Sequence, residues 1–414
     1  MSPQTMRLLD SFRLRMACRA ILVLLVVAIG GANGLTDCPT AFFNFGDSTT
    51  DTGSLENVAP GDPGLPPYGM QFFGEPSKRY AHGRVIPDFF ALAFKTPLLQ
   101  PYIQAGAYDF RHGVNFAVSG STASNDSTVT PLYLPIQLNQ FIRFYKTTES
   151  VKRQKGKCSP LAKFLPSKKA FENALYTIKF GGNDLPLAFL HNGSNIASGM
   201  NVIINKVIPD AMTNHENAME TLYRYGARRF LLTGLDNVGC SPNFVSQYST
   251  FPLDDRGCLL FPRESVASWN GALVQLVERM RAKLTGASIG LFNVSAGSEE
   301  IRSNLSKFGF NPNLSTQVCC GAPGGPVDNN YNSQIKCGHP GSSVCDNVGE
   351  HIYWDGPHLT EPYQRLLAIM LLEAKYTSSG VNYTSLCNLD YSKFGDDVTF
   401  DEVYGDTCEV TFTS

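Results

Sequence analysis

Ser48 stands just past a short apolar run, Thr40 to Phe45, in the stretch Phe45-Gly46-Asp47-Ser48-Thr49-Thr50-Asp51-Thr52-Gly53. The run reads as a buried strand stopping at a turn. A serine in that place lies at the carboxyl end of a sheet, where open α/β folds put their ligands. Its hydroxyl can attack a carbonyl there only if a base takes its proton, because the bare alcohol ionises far above neutral pH. The competing reading is an ordinary strand-to-helix turn with Ser48 as the helix cap.

The strongest source of a base is Tyr353-Trp354-Asp355-Gly356-Pro357-His358-Leu359-Thr360-Glu361. An Asp and a His three residues apart on one turn can set the carboxylate beside the imidazole, fixing its tautomer and stabilising the imidazolium that forms when serine loses its proton. Asp-x-x-His can also simply cap a helix. The other six histidines, at 82, 112, 191, 215, 339 and 351, have no comparable partner. Acyl transfer further needs donors aimed at an oxyanion. Two strand ends offer them: Gly120, after Asn115 to Ser119, whose backbone N–H a substrate can approach closely, and Asn183 in Phe180-Gly181-Gly182-Asn183-Asp184, through its side-chain amide. Taken singly, each of these is also a plain turn signal.

The elements that must hold these residues alternate along the chain. Apolar, strand-length runs at Val114 to Val118, Ala174 to Phe180, Arg229 to Leu232 and Ser288 to Phe292 follow the first strand. Stretches with helical spacing lie at Asp88 to Phe94, Leu132 to Phe144, Val202 to Tyr225, Glu264 to Leu284 and Glu361 to Lys375. Such alternation predicts an α/β fold with a central parallel sheet covered on both faces. The expected organisation is a signal peptide over 1–34, then one catalytic domain over 35–414 whose C-terminal tail, from about 376, is disulfide-bonded. Gly321 to Gly325 is glycine-rich but lacks the Lys-Ser/Thr of a phosphate loop, so it reads as a surface loop.

Charge and cysteine content narrow the function classes. With 34 basic and 36 acidic residues among 414, no block can grip a phosphate backbone, so nucleic acid is not an expected partner. Arg7, Arg13, Arg15 and Arg19 precede an apolar run from Ala20 to Ile29 and small residues to Gly34, the pattern of a signal peptide. The run is about half the roughly 20 residues of a membrane span. Cleavage near Gly34 leaves 30 basic and 35 acidic residues, a formal charge of -5, and ten cysteines out of 11. An even count in a chain bound for an oxidising compartment predicts disulfides. Cys240 and Cys258 flank one long loop and are the best local pair; Cys319, Cys320, Cys337 and Cys345 pair among themselves or with Cys38. Zinc is the rival use, but neither C-x-x-C nor H-E-x-x-H occurs. Sequons at Asn125, Asn192, Asn293, Asn304, Asn313 and Asn382 are candidate glycosylation sites. The expectation is a secreted, soluble glycoprotein without stable membrane insertion, the vacuole being the alternative address.

Five blocks carry a resemblance: Phe-Gly-Asp-Ser-x-x-Asp-x-Gly at 45–53, His82-Gly83-Arg84 with Asp88-Phe89, Asn115-Phe116-Ala117 with Gly120, Gly181 to Asp184, and Trp354-Asp355-Gly356-x-His358-x-Thr360-Glu361. In this order they resemble the plant GDSL esterase/lipase family of the SGNH hydrolase superfamily, and the wording over Tyr176 to Leu185 and Trp354 to Glu361 is similar to its early-nodulin-like and acetylesterase branch. The resemblance runs from about Thr40 to Lys375 and includes Cys319-Cys320-Gly321 and Cys337-Gly338. It implies a three-layer α/β/α fold of flavodoxin-like type, with Ser48 as nucleophile, His358 as base and Asp355 as its orienter. The oxyanion donors it implies are the N–H groups of Ser48 and Gly120 and the side chain of Asn183, with no metal and no organic cofactor. Two departures stand out. Ser119-Gly120-Ser121-Thr122 replaces the Gly-Ala-Gly ending of many members, and Pro357 stiffens the Asp-x-x-His turn.

The expected reaction is hydrolysis of a carboxylic ester through an acyl-enzyme on Ser48. The substrate class is an acetyl, short-chain or phenolic ester of a plant metabolite or of wall polysaccharide. The alternatives are an acyltransferase passing the acyl group to an acceptor alcohol and a catalytically decayed binding or defence glycoprotein. The loop Pro60 to Phe73, with Leu65, Tyr68, Met70 and Phe72, either lines the acyl pocket or packs over the core.

Overall fold

The structure is a computed structural model, and it describes residues 38–104, 109–125, 130–154, 160–193, 195–378 and 383–404. The signal-peptide reading, the sequon at Asn382 and Cys18, Cys158 and Cys408 lie outside the described residues.

Five short, largely buried strands build the sheet: β1 Phe42–Gly46, β2 Gly113–Asn115, β3 Leu175–Lys179, β4 Arg229–Thr233 and β5 Ser288–Phe292. A two-residue edge strand, β6 Thr377–Ser378, completes it. The order is β2-β1-β3-β4-β5-β6, with the first five parallel and β6 antiparallel to β5. Side chains alternate between the faces, as the two-residue period of a strand requires. Phe43, Phe45, Tyr176, Ile178, Phe230 and Leu232 enter one core. That face is covered by α2 Leu134–Gln154, α4 Ile208–Arg224 and α5 Pro262–Lys283. Phe42, Leu175, Leu231 and Phe292 enter the other core, under α1 Ile86–Ala93, α6 Val294–Ser303 and α7 Glu361–Leu372. The result is a three-layer α/β/α sandwich. Phe43 shows the packing: its ring lies 5.0 Å from Phe171 and 5.1 Å from Tyr176.

Three elements differ from the sequence reading, each for a physical reason. The strand expected over 114–118 ends at Asn115. Phe116 and Val118 still donate to the carbonyls of Asn44 and Gly46, at 2.8 and 3.1 Å, but Asn115 Oδ1 takes the Ala117 amide at 3.0 Å and turns the chain out of the ladder. The helix expected over 202–225 carries a π-helical turn at Ile203–Val207. Pro209 follows it and has no N–H to return to the preceding turn. The last helix stops at Leu372 because Ala374 and Tyr376 adopt positive φ, 55° and 60°, and reverse the chain into β6.

Disulfides join Cys38 to Cys387, Cys240 to Cys258, Cys319 to Cys345 and Cys320 to Cys337. Cys38 therefore fastens the start of the described chain to its tail instead of joining the cluster around Cys319. Among the described residues no helix is long and apolar enough to cross a membrane.

Candidate active site

The strand order reverses direction at β1, flanked by β2 on one side and β3 on the other. A crevice opens outside the carboxyl ends of strands at such a switch point, and Ser48 follows β1 there. Gly46 permits the turn, since a Cβ would meet Thr50 Oγ1 at 2.4 Å and the Lys179 carbonyl oxygen at 2.9 Å. Buried Gln137 pins the same residue from α2, its Oε1 accepting the Gly46 amide at 3.0 Å and its Nε2 donating to the Gly46 carbonyl at 2.8 Å. Asp47 Oδ1 accepts the amide and hydroxyl of Thr49, at 3.0 and 2.6 Å. Ser48 itself is half-buried. It caps no helix, because the next helix begins at Ser54 with Gly53 in the cap position.

Buried Asp51 ties this turn to the second strand end. Its carboxylate accepts the amides of Gly53, Ser54 and Leu55 and both the amide and the hydroxyl of Ser119, at 2.6 to 3.1 Å. Burial pushes its ionisation above the usual carboxylate range, against the pull of those donors. Gly120 follows at φ 79°, in the turn closed by the Ser121 amide on the Val118 carbonyl at 3.1 Å. From β3, Asn183 Nδ2 donates to the Ser121 carbonyl at 2.8 Å, and Asp184 accepts the Ala123 and Ser124 amides and the Ser124 hydroxyl. Burial, aided by nearby Asp47, raises Asp184 to about 6.

On the other side, His358 Nδ1 meets Asp355 Oδ1 at 2.8 Å and Oδ2 at 2.9 Å, and the His358 amide donates to Oδ1 at 3.0 Å. The pair does not cap α7, whose cap residue is Thr360. With Nδ1 held by the carboxylate, Nε2 is the ring nitrogen left to take a proton from another group. Burial acts to raise the Asp355 carboxyl, but the charge of His358 and the donors of His358 and Tyr68 outweigh it and hold the group below its ordinary range. Pro357, in the turn between Asp355 and His358, is exposed.

Ser48, Asn183 and His358 line one cleft of about 230 Å³, together with Asp47, Lys179 and Gly182. Its remaining wall is mostly apolar, including Ile86, Pro186, Leu235, Val238 and Phe244. Asp355 and Gly120 are not among the lining residues; the first stands behind His358 and the second beside Asn183 through Ser121. A neighbouring polar cavity of about 670 Å³ shares Asp236 and Asn237 with the cleft. Cys319, Cys345 and His351 come within metal-ligand distance of one another, but both sulfurs are spent in a disulfide.

The loop Pro60 to Phe73 does not line the cleft. Leu65 and Met70 are exposed, and Phe72 is buried beneath the Arg84 guanidinium at 4.4 Å. Tyr68 is buried and its hydroxyl donates to Asp355 Oδ2 at 2.8 Å. This contact, and the stacking of Tyr80 on His358, were invisible in the sequence: both join residues nearly 300 positions apart without local spacing. The candidate glycosylation residues Asn125, Asn293, Asn304 and Asn313 are exposed, and Asn192 is partly so.

Comparison with known proteins gives the family. The family model described as GDSL-like lipase/acylhydrolase matches residues 42–370. A GDSL esterase/lipase of Arabidopsis thaliana is 30% identical over 384 residues, covering 89% of this chain and 97% of that protein. The GDSL esterase/lipase ENOD8 of Medicago truncatula is 29% identical over 359 residues, covering 84% and 89%. A protein of Hevea brasiliensis named esterase is 31% identical over 352 residues, covering 82% and 86%.

Proposed function

Since the chain belongs to the GDSL-like lipase/acylhydrolase family and is a carboxylic ester hydrolase, we propose that Ser48 is its nucleophile, His358 the base and Asp355 the residue that orients the base and stabilises its imidazolium. The observation that carries this reading is the His358–Asp355 pair at 2.8 Å on the same cleft as Ser48. Ser48 attacks the ester carbonyl as His358 Nε2 takes its proton. The N–H groups of Ser48 and Gly120 and the Asn183 amide stabilise the oxyanion. Collapse of the tetrahedral adduct breaks the C–O bond, and the departing alkoxide takes the proton from the imidazolium. Water, deprotonated by His358, then attacks the acyl-enzyme and releases the acid.

Two cavities bear on the substrate. At about 230 Å³ the cleft is below the roughly 300 to 1,000 Å³ typical of sites for drug-sized ligands, which favours a short acyl or phenolic group against its apolar wall. The polar cavity adjoining at Asp236 and Asn237 suits a hydroxyl-rich alcohol portion, such as a glycoside or wall polysaccharide. The signal-peptide pattern at the N-terminus and the four disulfides favour a secreted enzyme.

The experiment compares Ser48→Ala with the wild type on p-nitrophenyl acetate and butyrate. The variant should lose turnover by roughly 10³-fold or more, and retention of wild-type turnover would overturn the mechanism. Adding acceptor alcohols and weighing free acid against transferred ester by mass spectrometry separates a hydrolase from an acyltransferase.

A further inference from the structure

Tyr68 lies 287 residues before Asp355, yet its hydroxyl donates to Asp355 Oδ2 at 2.8 Å. Among the described residues the carboxylate's other bonds go to His358: the amide and Nδ1 reach Oδ1, and Nδ1 also meets Oδ2 at 2.9 Å. Tyr68 is thus the donor that holds Oδ2 independently of the imidazole. A buried carboxylate held by the amide and imidazole of one residue alone can rotate together with that imidazole.

The phenol is itself fixed on three sides. Its ring meets Tyr80 and Trp354 edge-on, each at 5.9 Å. Around it lie Cys319, Cys320 and Cys337, whose disulfides close the cluster. The loop that bears it is tied down by the Gly69 amide on the Ala81 carbonyl at 3.0 Å, Gln71 on His82 at 2.9 Å and Lys78 on Pro63 at 3.1 Å. Burial first, then the charge of Asp355, push ionisation of Tyr68 well above the ordinary phenol value, so the O–H remains a donor throughout the working range.

We propose that Tyr68 is a positioning residue of the hydrolytic site, holding the Asp355 carboxylate in the plane that keeps His358 Nε2 aimed at Ser48. The proposal rests on the assignment of Ser48, His358 and Asp355 above. It also has an electrostatic side. By sharing the carboxylate's charge, Tyr68 tempers the pull of Asp355 on the imidazolium. The other titratable or charged groups about the pair include Tyr80 and Tyr331, Asp51, Glu56 and Asp62 beyond the tyrosines, and Asp47, Lys179, Asp236 and Tyr353 along the cleft.

Tyr68→Phe keeps the ring and removes only the hydroxyl. With active sites counted by fluorophosphonate labelling, kcat should fall roughly tenfold and KM should stay within about twofold. The acid limb of kcat/KM should move upward by about half a pH unit, because the unshared carboxylate favours the imidazolium more strongly. In an Asp355→Asn background the same substitution should cost nothing further. Wild-type kcat and pH profile in Tyr68→Phe, or an equal loss in both backgrounds, would overturn the proposal. Full activity of Ser48→Ala would instead overturn the reading on which it rests, so the two failures are distinct.

Discussion

The ring of Tyr80 lies 4.3 Å, centroid to centroid, from the imidazole of His358, inclined to it by 32°. Tyr80 is largely buried, and burial followed by the charge of Asp355 keeps its own hydroxyl protonated. The imidazole is therefore held between a carboxylate at its edge and an aromatic ring at its face. An aromatic face attracts a cation, so this contact is stronger for the imidazolium than for the neutral ring.

Replacing Tyr80 by Leu removes that attraction while keeping apolar bulk. The imidazolium formed during acylation becomes less favourable by about 1 kcal/mol, so kcat should drop roughly fivefold. The acid limb of kcat/KM should move to lower pH, opposite in direction to Tyr68→Phe. A pH-rate profile for each variant on p-nitrophenyl acetate checks both signs. An acid limb left in place by Tyr80→Leu would mean that Tyr80 acts by packing alone.

Parts of this arrangement were legible in the sequence because they are local. Asp355 and His358 sit three apart on one turn, and a carboxylate at that spacing reaches the imidazole without help from the fold. Phe42 to Phe45 read as a strand because both faces of a central parallel strand are buried, which leaves an unbroken apolar run. The helix α3 Asp184–His191 was not legible: it is short and carries Pro186 in its first turn, where proline is tolerated but reads as a breaker. In α6 the segment Ser-Ala-Gly-Ser-Glu-Glu shows little apolar spacing. Tyr68 was hidden for another reason. Its Gly/Pro-rich loop has no period, and only packing of the β1–α1 connection against the turn before α7 brings it to Asp355.

Stability should depend on pH through two buried histidines. Burial lowers His82 to about 3 and His215 to about 4, each from 6.5. Between pH 6.5 and 4 the unfolded chain therefore binds two protons that the native state refuses, and stability must fall as pH falls. Asp184 works in the opposite sense. Raised from 3.8 to about 6, it keeps a proton in the native state that the unfolded chain has released, so its contribution is full below 3.8 and is lost as pH rises through about 6. Asp51 and Glu361, whose ionisation burial also raises, act in the same sense as Asp184, so the histidines' share of the acid decline in melting temperature is read by substitution. Substituting His215 by Phe should flatten the decline by one proton's worth, about 1.4 kcal/mol per pH unit near 25 °C. A slope unchanged in that variant would rule His215 out as a source.

The motif His82-Gly83-Arg84 acquires a reason from its partner on α7. Arg84 and Glu361 form an ion pair with both side chains fully buried, and Arg84 Nε donates to Glu361 Oε1 at 2.9 Å. Gly83 must be glycine there, since a Cβ would stand 1.8 Å from Glu361 Oε2. The guanidinium also lies 4.9 Å above Phe89 and donates to the carbonyls of Lys393 and Gly395, which joins the tail to the first turn of α7. Glu361 is three residues past His358, so this pair anchors the element that carries the base. Glu361→Gln leaves a buried guanidinium without its counter-charge, and the cost should be about 3 to 5 kcal/mol in urea denaturation. Arg84→Met in the same chain should recover part of that loss, because the doubly substituted pair no longer buries an uncompensated charge. The recovery should be incomplete, since the Lys393 and Gly395 carbonyls lose their donor. A single-variant cost below about 1 kcal/mol would place the pair with exposed salt bridges, and the tail would then owe its position to Cys38–Cys387 instead.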